Sequence, residues 1–255
     1  MKIIVLAENT VCREELGCEH GLSLYIEAAG KRILFDMGQS ALFADNAAKL
    51  GVDLTQVDLA VLSHGHYDHG GGMRVFLEIN RKAPVYVTRS AFALHFNAEG
   101  KYIGLAPETS ERLIYVGDSF EVAPGITLHT CNHRERIAPV DAFGLTTGEN
   151  RMPDDFRHEQ YLLIEEAGKK FCISGCSHKG IRNIVHWFHP DVLIGGFHFM
   201  KIGDRERLIE EAEHLRQCPA VYYTGHCTGE AQYEILKTAM GEQLYHFSTG
   251  TVLEW

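Results

Sequence analysis

The chain has 255 residues, 45% of them hydrophobic and 23% charged, with a net charge of −10. That balance is ordinary for a globular protein and excludes a sequence-independent grip on nucleic acid, which needs basic surface. No apolar run approaches the roughly 18 residues of a membrane-spanning helix, and α/β chains of this size are often one domain, so a single domain over 1–255 is expected.

The opening MKIIVLAENT enters a strand-like run at 2–6 directly, with no apolar leader core or small-residue cleavage site. A cytoplasmic protein is expected. The seven cysteines, at 12, 18, 131, 172, 176, 218 and 227, are then thiols or ligands rather than disulfides. Residues 8–20 are polar and read as a loop near one rim. Residues 21–28 and Lys31–Phe35 form a predicted hairpin across Ala29-Gly30. Ser40 can cap a short helix running to Leu50, which Gly51 ends.

The strand 57–62 delivers the most informative stretch, LAVLSHGHYDHGGG, from Leu59 to Gly72. Leu59, Ala60, Val61 and Leu62 suit a strand buried on both faces. His64, His66, Asp68 and His69 follow within six residues, where the chain must leave the strand. In extended or turning backbone, residues two apart point the same way, so His64 and His66 can grip one ion. Asp68 and His69 can reach a second ion nearby. Imidazole and carboxylate clusters suit zinc, iron or manganese, and Gly70, Gly71 and Gly72 permit backbone approaches that a Cβ would forbid.

A largely buried helix is predicted over Met73–Ile79, a strand over 84–88, a helix over 90–96, and strands over Leu113–Val116 and Ile126–His129. The pattern weakens from 90 to 140, where substrate-specific loops are expected, and 141–158 reads as a long ordered loop. An internal echo follows. Ile26-Glu27-Ala28-Ala29-Gly30-Lys31 matches Ile164-Glu165-Glu166-Ala167-Gly168-Lys169 in five of six positions, and each copy turns between two strands. The second half alternates: strand 170–174, helix 180–188, strand 191–197, helix 204–217 capped by Asp204, strand 220–224, helix 229–240, and a last strand over 244–253. Two related halves, each a sheet carrying helices, predict a four-layer αββα sandwich.

HGHYDH resembles the HxHxDH signature of the metallo-β-lactamase superfamily. GKRILFDMGQS (30–40) resembles that superfamily's first hairpin with its Asp-x-Gly turn. PDDFRHEQYLLIEEAGKKFCISGCSHKGIRNI (153–184), IGGFHF (194–199) and GHCTG (225–229) resemble a narrower branch. That branch includes the archaeal enzyme of methanopterin biosynthesis that joins a dihydropterin to a ribofuranosyl-aminobenzene phosphate. By this resemblance one metal takes His64, His66 and His178, and a second takes Asp68, His69 and His226. His198 is assigned to catalysis and substrate contact rather than ligation. His129 and His133 are weaker candidates, and His20, His95, His158, His186, His189, His214 and His246 have no motif context.

The expected cofactors are two divalent ions, zinc first, with manganese or iron as alternatives. Water between two such ions loses a proton near neutral pH and attacks, while the ions polarise the bond under attack. Asp68 can ligate and orient that nucleophile. A metal-dependent hydrolase is therefore expected, or a pterin-related transferase using the same ions. A di-iron oxygen-handling protein is disfavoured because such members usually carry Glu where this chain has His66. A non-catalytic binding protein on the same fold is the third alternative. His178-Lys179-Gly180 opens a helix, so free N–H groups helped by Lys179 are expected to bind a phosphate- or carboxylate-bearing small substrate. Many superfamily members carry a bridging aspartate just after a glycine on this loop, where this chain has Cys176. Its thiolate could ligate, but the preferred expectation is a small buried residue, leaving the second metal more weakly held.

Overall fold

The computed structural model covers residues 1–255. Alternation along the strands explains its layers. Ile3, Val5, Leu24, Ile26, Ile33 and Phe35 point one way and meet Leu162, Ile164, Phe171, Ile173, Val192 and Ile194 in one buried cluster between two sheets. The residues in between face outward. Ile4, Leu6, Tyr25 and Leu34 pack with Phe43, Ala47, Met73 and Phe76 of the helices Leu42–Lys49 and Met73–Ile79. On the far side Tyr161, Leu163, Cys172 and Leu193 pack against Ile184, Leu208, Ala212 and Leu236 of the helices Ile181–Phe188, Arg205–Arg216 and Glu230–Met240. The result is the expected αββα sandwich, because a strand buried on both faces needs a partner layer on each.

The two seven-stranded sheets have corresponding strand orders. In the first, Ser23–Ala28 and Lys31–Phe35 form a hairpin, and Leu59–Val61, Val85–Thr88 and Leu113–Val116 follow in parallel. In the second, Tyr161–Glu166 and Lys169–Ile173 form the hairpin, and Val192–Ile194, Val221–Thr224 and Leu244–His246 follow in parallel. The sequence echo marks the two hairpin turns. Ala29 and Gly30 have φ of 47° and 70°, and Ala167 and Gly168 have 52° and 75°, the positive pair a tight two-residue turn requires. The turns also touch, since Glu166 Oε1 accepts from Ala29 N at 2.7 Å.

Three expectations change. The helix expected at 90–96 is instead turns ending in the short strand His95–Phe96, which pairs with Thr146–Thr147, itself paired with Met152–Pro153. A small sheet therefore lies across the 141–158 segment. The last strand divides: Leu244–His246 ends the second sheet, while Val252–Glu254 crosses to pair with Lys2–Ala7 in the first. Gly250, with φ of 93°, stands between them. The strand Ser119–Ala123, half exposed and weak in pattern, was not foreseen. No helix is long and apolar enough to cross a membrane.

Candidate metal centre

Parallel strands all deliver their C-terminal ends to the same edge of the sandwich. Lys31–Phe35 leads to Asp36, Leu59–Val61 to His64–His69, Lys169–Ile173 to Cys176 and His178, Val192–Ile194 to His198, and Val221–Thr224 to His226. Asp36, Ser177, His198 and His226 have φ of 60°, 57°, 57° and 49°. Non-glycine residues are strained there, and such strain gathers at functional sites. Gly175 packs so closely that a Cβ would lie 2.2 Å from Ser63 Oγ, which seats one ligand loop on the other. A Cβ on Gly72 would meet Met37 O at 2.2 Å, so the motif's last glycine lets the turn after Phe35 close against it.

The structure brings His64, His66, Asp68, His69, His178 and His226 together, and all six are buried. The hydrogen-bond network assigns their tautomers. Asp36 accepts from Ser63 N at 2.7 Å, from Ser63 Oγ at 2.6 Å and from His69 Nδ1 at 2.7 Å. His69 therefore carries its proton on Nδ1 and leaves Nε2 bare. His226 Nδ1 donates to Asn9 Oδ1 at 2.9 Å, which leaves its Nε2 bare as well. These two lone pairs face each other at 3.1 Å, and Asp68 Oδ2 lies 3.3 Å from His226 Nε2. Three ligand atoms thus converge with no neighbouring donor assigned to them, an arrangement that a cation at its centre satisfies, either a metal ion or a proton. On the other side, Ser63 Oγ accepts from His64 Nδ1 at 2.8 Å, freeing His64 Nε2, which lies 3.3 Å from His178 Nε2. His66 Nε2 and His178 Nδ1 are buried without partners. Stacking on Phe156, 4.7 Å between centroids at 13°, orients the His178 ring. The donor set fits two divalent ions: nitrogen and carboxylate ligands, all buried, with the tautomers of His64, His69 and His226 fixed by Ser63, Asp36 and Asn9.

The electrostatics divide the histidines. Burial, reinforced by neighbouring imidazoles, pushes His64, His66 and His178 well below the ordinary histidine value, so they are neutral and able to ligate at pH 7. Burial would do the same to His69, but Asp36 and Asp68 outweigh it and raise this imidazole. Burial would raise Asp68, but His69, His20 and His226 outweigh it and hold the carboxyl well below its usual range.

Around these ligands lie residues that carried no motif. Asp154 Oδ2 is 2.9 Å from His95 Nδ1 and 3.3 Å from His158 Nε2, and His158 Nδ1 accepts from Gly65 N at 2.9 Å. The His66 ring packs on both His95 and His158. His20 Nε2 sits 3.3 Å from Asp68 Oδ2. The four-residue interval from Asp154 to His158 was the available signal for the first group; nothing local marked His20. His129 bonds Thr127, and exposed His133 faces Asp118, so neither joins the centre.

Lys179 is corrected. It is fully buried and its ammonium donates to Thr130 O at 2.6 Å and Glu159 O at 2.9 Å, so it does not face a substrate. The expected free N–H groups are also taken. Glu159 accepts from His178 N at 2.7 Å and from Lys179 N at 3.0 Å. The anion at this helix start is the protein's own carboxylate. His198 does lie beside the centre, 4.3 Å from the His178 ring, with both ring nitrogens buried and neither bonded. It lines a cleft with His178, Phe143, Arg182 and Arg207. Cys176 is buried as expected, yet its Sγ lies 3.2 Å from His69 Nε2, inside the centre.

The family model of the metallo-beta-lactamase superfamily matches residues 16–226. The chain belongs to the metallo-beta-lactamase superfamily. Among other superfamily proteins, a solved structure of Tm1679, described as a metal-dependent hydrolase of the beta-lactamase superfamily, superposes with a TM-score of 0.81 at 27% identity, covering 100% of this chain and 99% of that one. Two Methanocaldococcus jannaschii proteins are similar along nearly their whole length. The uncharacterised protein MJ0448 is 30% identical over 89% of this chain and 90% of its own. The 7,8-dihydropterin-6-methyl-4-(beta-D-ribofuranosyl)-aminobenzene-5'-phosphate synthase is 28% identical over 100% of this chain and 97% of its own.

Proposed function

We propose that this superfamily member is a metal-dependent hydrolase acting on a small substrate that carries phosphate or carboxylate. His64, His66 and His178 would hold one divalent ion, and Asp68, His69 and His226 a second, zinc being the first choice for this donor set. The observation that carries the reading is the convergence of His69 Nε2, His226 Nε2 and Asp68 Oδ2 within about one ligand-to-ligand distance of one another. Such ions, when bound, acidify water and polarise an ester, amide or phosphate.

The chain's own residues do the rest. Asp68 holds negative charge beside His20 and His226 and can orient the attacking water's proton. His198, its ring nitrogens unpartnered, can hand a proton to the leaving group beside His178. Arg182 and Arg207 line the same cleft in loose pairs with Glu211 at 3.7 Å and Asp141 at 3.4 Å. Their charges support an anionic substrate group now that Lys179 is excluded. Phe143 gives the cleft an aromatic wall. The seven free thiols suit a reducing cytoplasm.

A second reading, a metal-assisted synthase or transferase, is favoured by the end-to-end similarity to the M. jannaschii synthase. Zinc-loaded protein assayed on chromogenic phosphoesters, thioesters and lactams, beside a dihydropterin condensation assay, separates the two. Hydrolysis that chelation abolishes supports the first. Condensation with no hydrolysis anywhere in the panel would replace it.

A further inference from the structure

The sulfur of Cys176 occupies a singular position. It lies within 4.8 Å of the ligand atoms of His64 and His178, of His69 and His226, and of His198 and Cys227. It is the one ligand-type atom shared by both halves of the centre. Asp68, the only carboxylate among the proposed ligands, lies at one side, against His20 and His226. The thiol is held there by its neighbours. Gly175 rests on Ser63 and His64, Gly175 O accepts from Gly196 N at 2.8 Å, and Cys176 O accepts from Cys227 Sγ at 3.6 Å. Gly196 leaves the space that Cys227 needs, since a Cβ there would meet its sulfur at 2.3 Å.

We propose that Cys176 is a thiolate ligand shared by the two metal ions. The inference rests on the metal-centre reading above and reverses the expectation that this residue only fills space. As the ions bind, the thiol releases its proton to water and the sulfur lone pairs complete both coordination sets. Cys176 is 3% exposed and does not line the cleft, which is bordered by His178 and His198. Two consequences follow. Both ions gain a common strong ligand, so the second is held more firmly than by Asp68, His69 and His226 alone. The centre also favours borderline and soft ions such as zinc, cobalt and cadmium over manganese, which prefers oxygen.

Cobalt(II) titration of the metal-stripped full chain tests this, read by bound cobalt per chain and by near-ultraviolet sulfur-to-cobalt charge transfer. The wild type is expected to bind two equivalents with the charge-transfer band present. Cys176→Ser should lose the band and one of the two equivalents. Cys176→Asp, which supplies a carboxylate instead, should regain the lost equivalent without the band. Cys227→Ala should keep the band. Wild-type protein that binds two cobalt ions with no sulfur band overturns the proposal without any variant, and leaves the metal centre standing. A band that survives in Cys176→Ser, or disappears only in Cys227→Ala, also overturns it. Failure of the wild type to bind cobalt at all overturns both the proposal and the reading beneath it.

Discussion

His69 and His226 point Nε2 at Nε2 across 3.1 Å, and each has committed its other nitrogen, to Asp36 and to Asn9. Two bare lone pairs at that distance repel unless a cation lies between them. Metal-stripped protein should therefore be the less stable form. Zinc at about 100 times its dissociation constant should add about 2.7 kcal/mol, a rise of roughly 5–10 °C in the thermal midpoint for a chain of this size. A scanning-calorimetry trace unmoved by zinc would count against the centre.

Asp36 touches no proposed substrate, yet it fixes Ser63 and the His69 tautomer. Asp36→Asn replaces one of its acceptor oxygens with an amide donor. Zinc affinity, measured by competition with a chromophoric chelator, should fall by about 10–100-fold. Unchanged affinity would show that His69 holds its orientation without this carboxylate.

Asp68→Asn should separate chemistry from folding. Its carboxylate faces His20 and His226 rather than the apolar core. Turnover should drop by at least about 100-fold while the urea midpoint moves little. Equal proportional losses in both measurements would make Asp68 a structural residue.

Lys179→Ala should be costly to stability and silent in binding. It strands the carbonyls of Thr130 and Glu159, for about 1–3 kcal/mol, and should leave KM for anionic substrates unchanged. A raised KM with intact stability would return Lys179 to the substrate. The pH dependence has a definite sign. Burial lowers the folded value from 10.5 to about 8, so between those limits the unfolded chain holds more protons. The penalty for burying the charge is full below pH 8 and eases as pH rises toward 10.5. The stability of wild type relative to Lys179→Ala should therefore increase across that window.

Much of the fold was legible because it is local. Alternation along 2–6 and Lys31–Phe35, the Ala-Gly turns of the echo and the Asp204 cap are statements about neighbours in sequence. Asp204 does accept from Glu206 N at 2.9 Å and Arg207 N at 3.3 Å. The His64–His69 cluster is local in the same sense, since two-residue spacing alone aims side chains together. The helix misread at 90–96 was decided elsewhere, by pairing of His95–Phe96 with Thr146–Thr147.

By itself the sequence determined the layered sandwich, the motif strand and the local cluster His64–His69, because periodicity and spacing state which faces are buried and which side chains share a direction; His178 and His226 came from resemblance to the superfamily. Tertiary structure decided which of those groups meet. His69 and His226 are 157 positions apart, and Cys176 lies 107 from His69. Glu159 fills the helix start that spacing marked as open, and Lys179 turns inward to carbonyls. A buried polar group takes its role from the partner that satisfies it, and that partner comes from another loop, at a distance along the chain that no local pattern records.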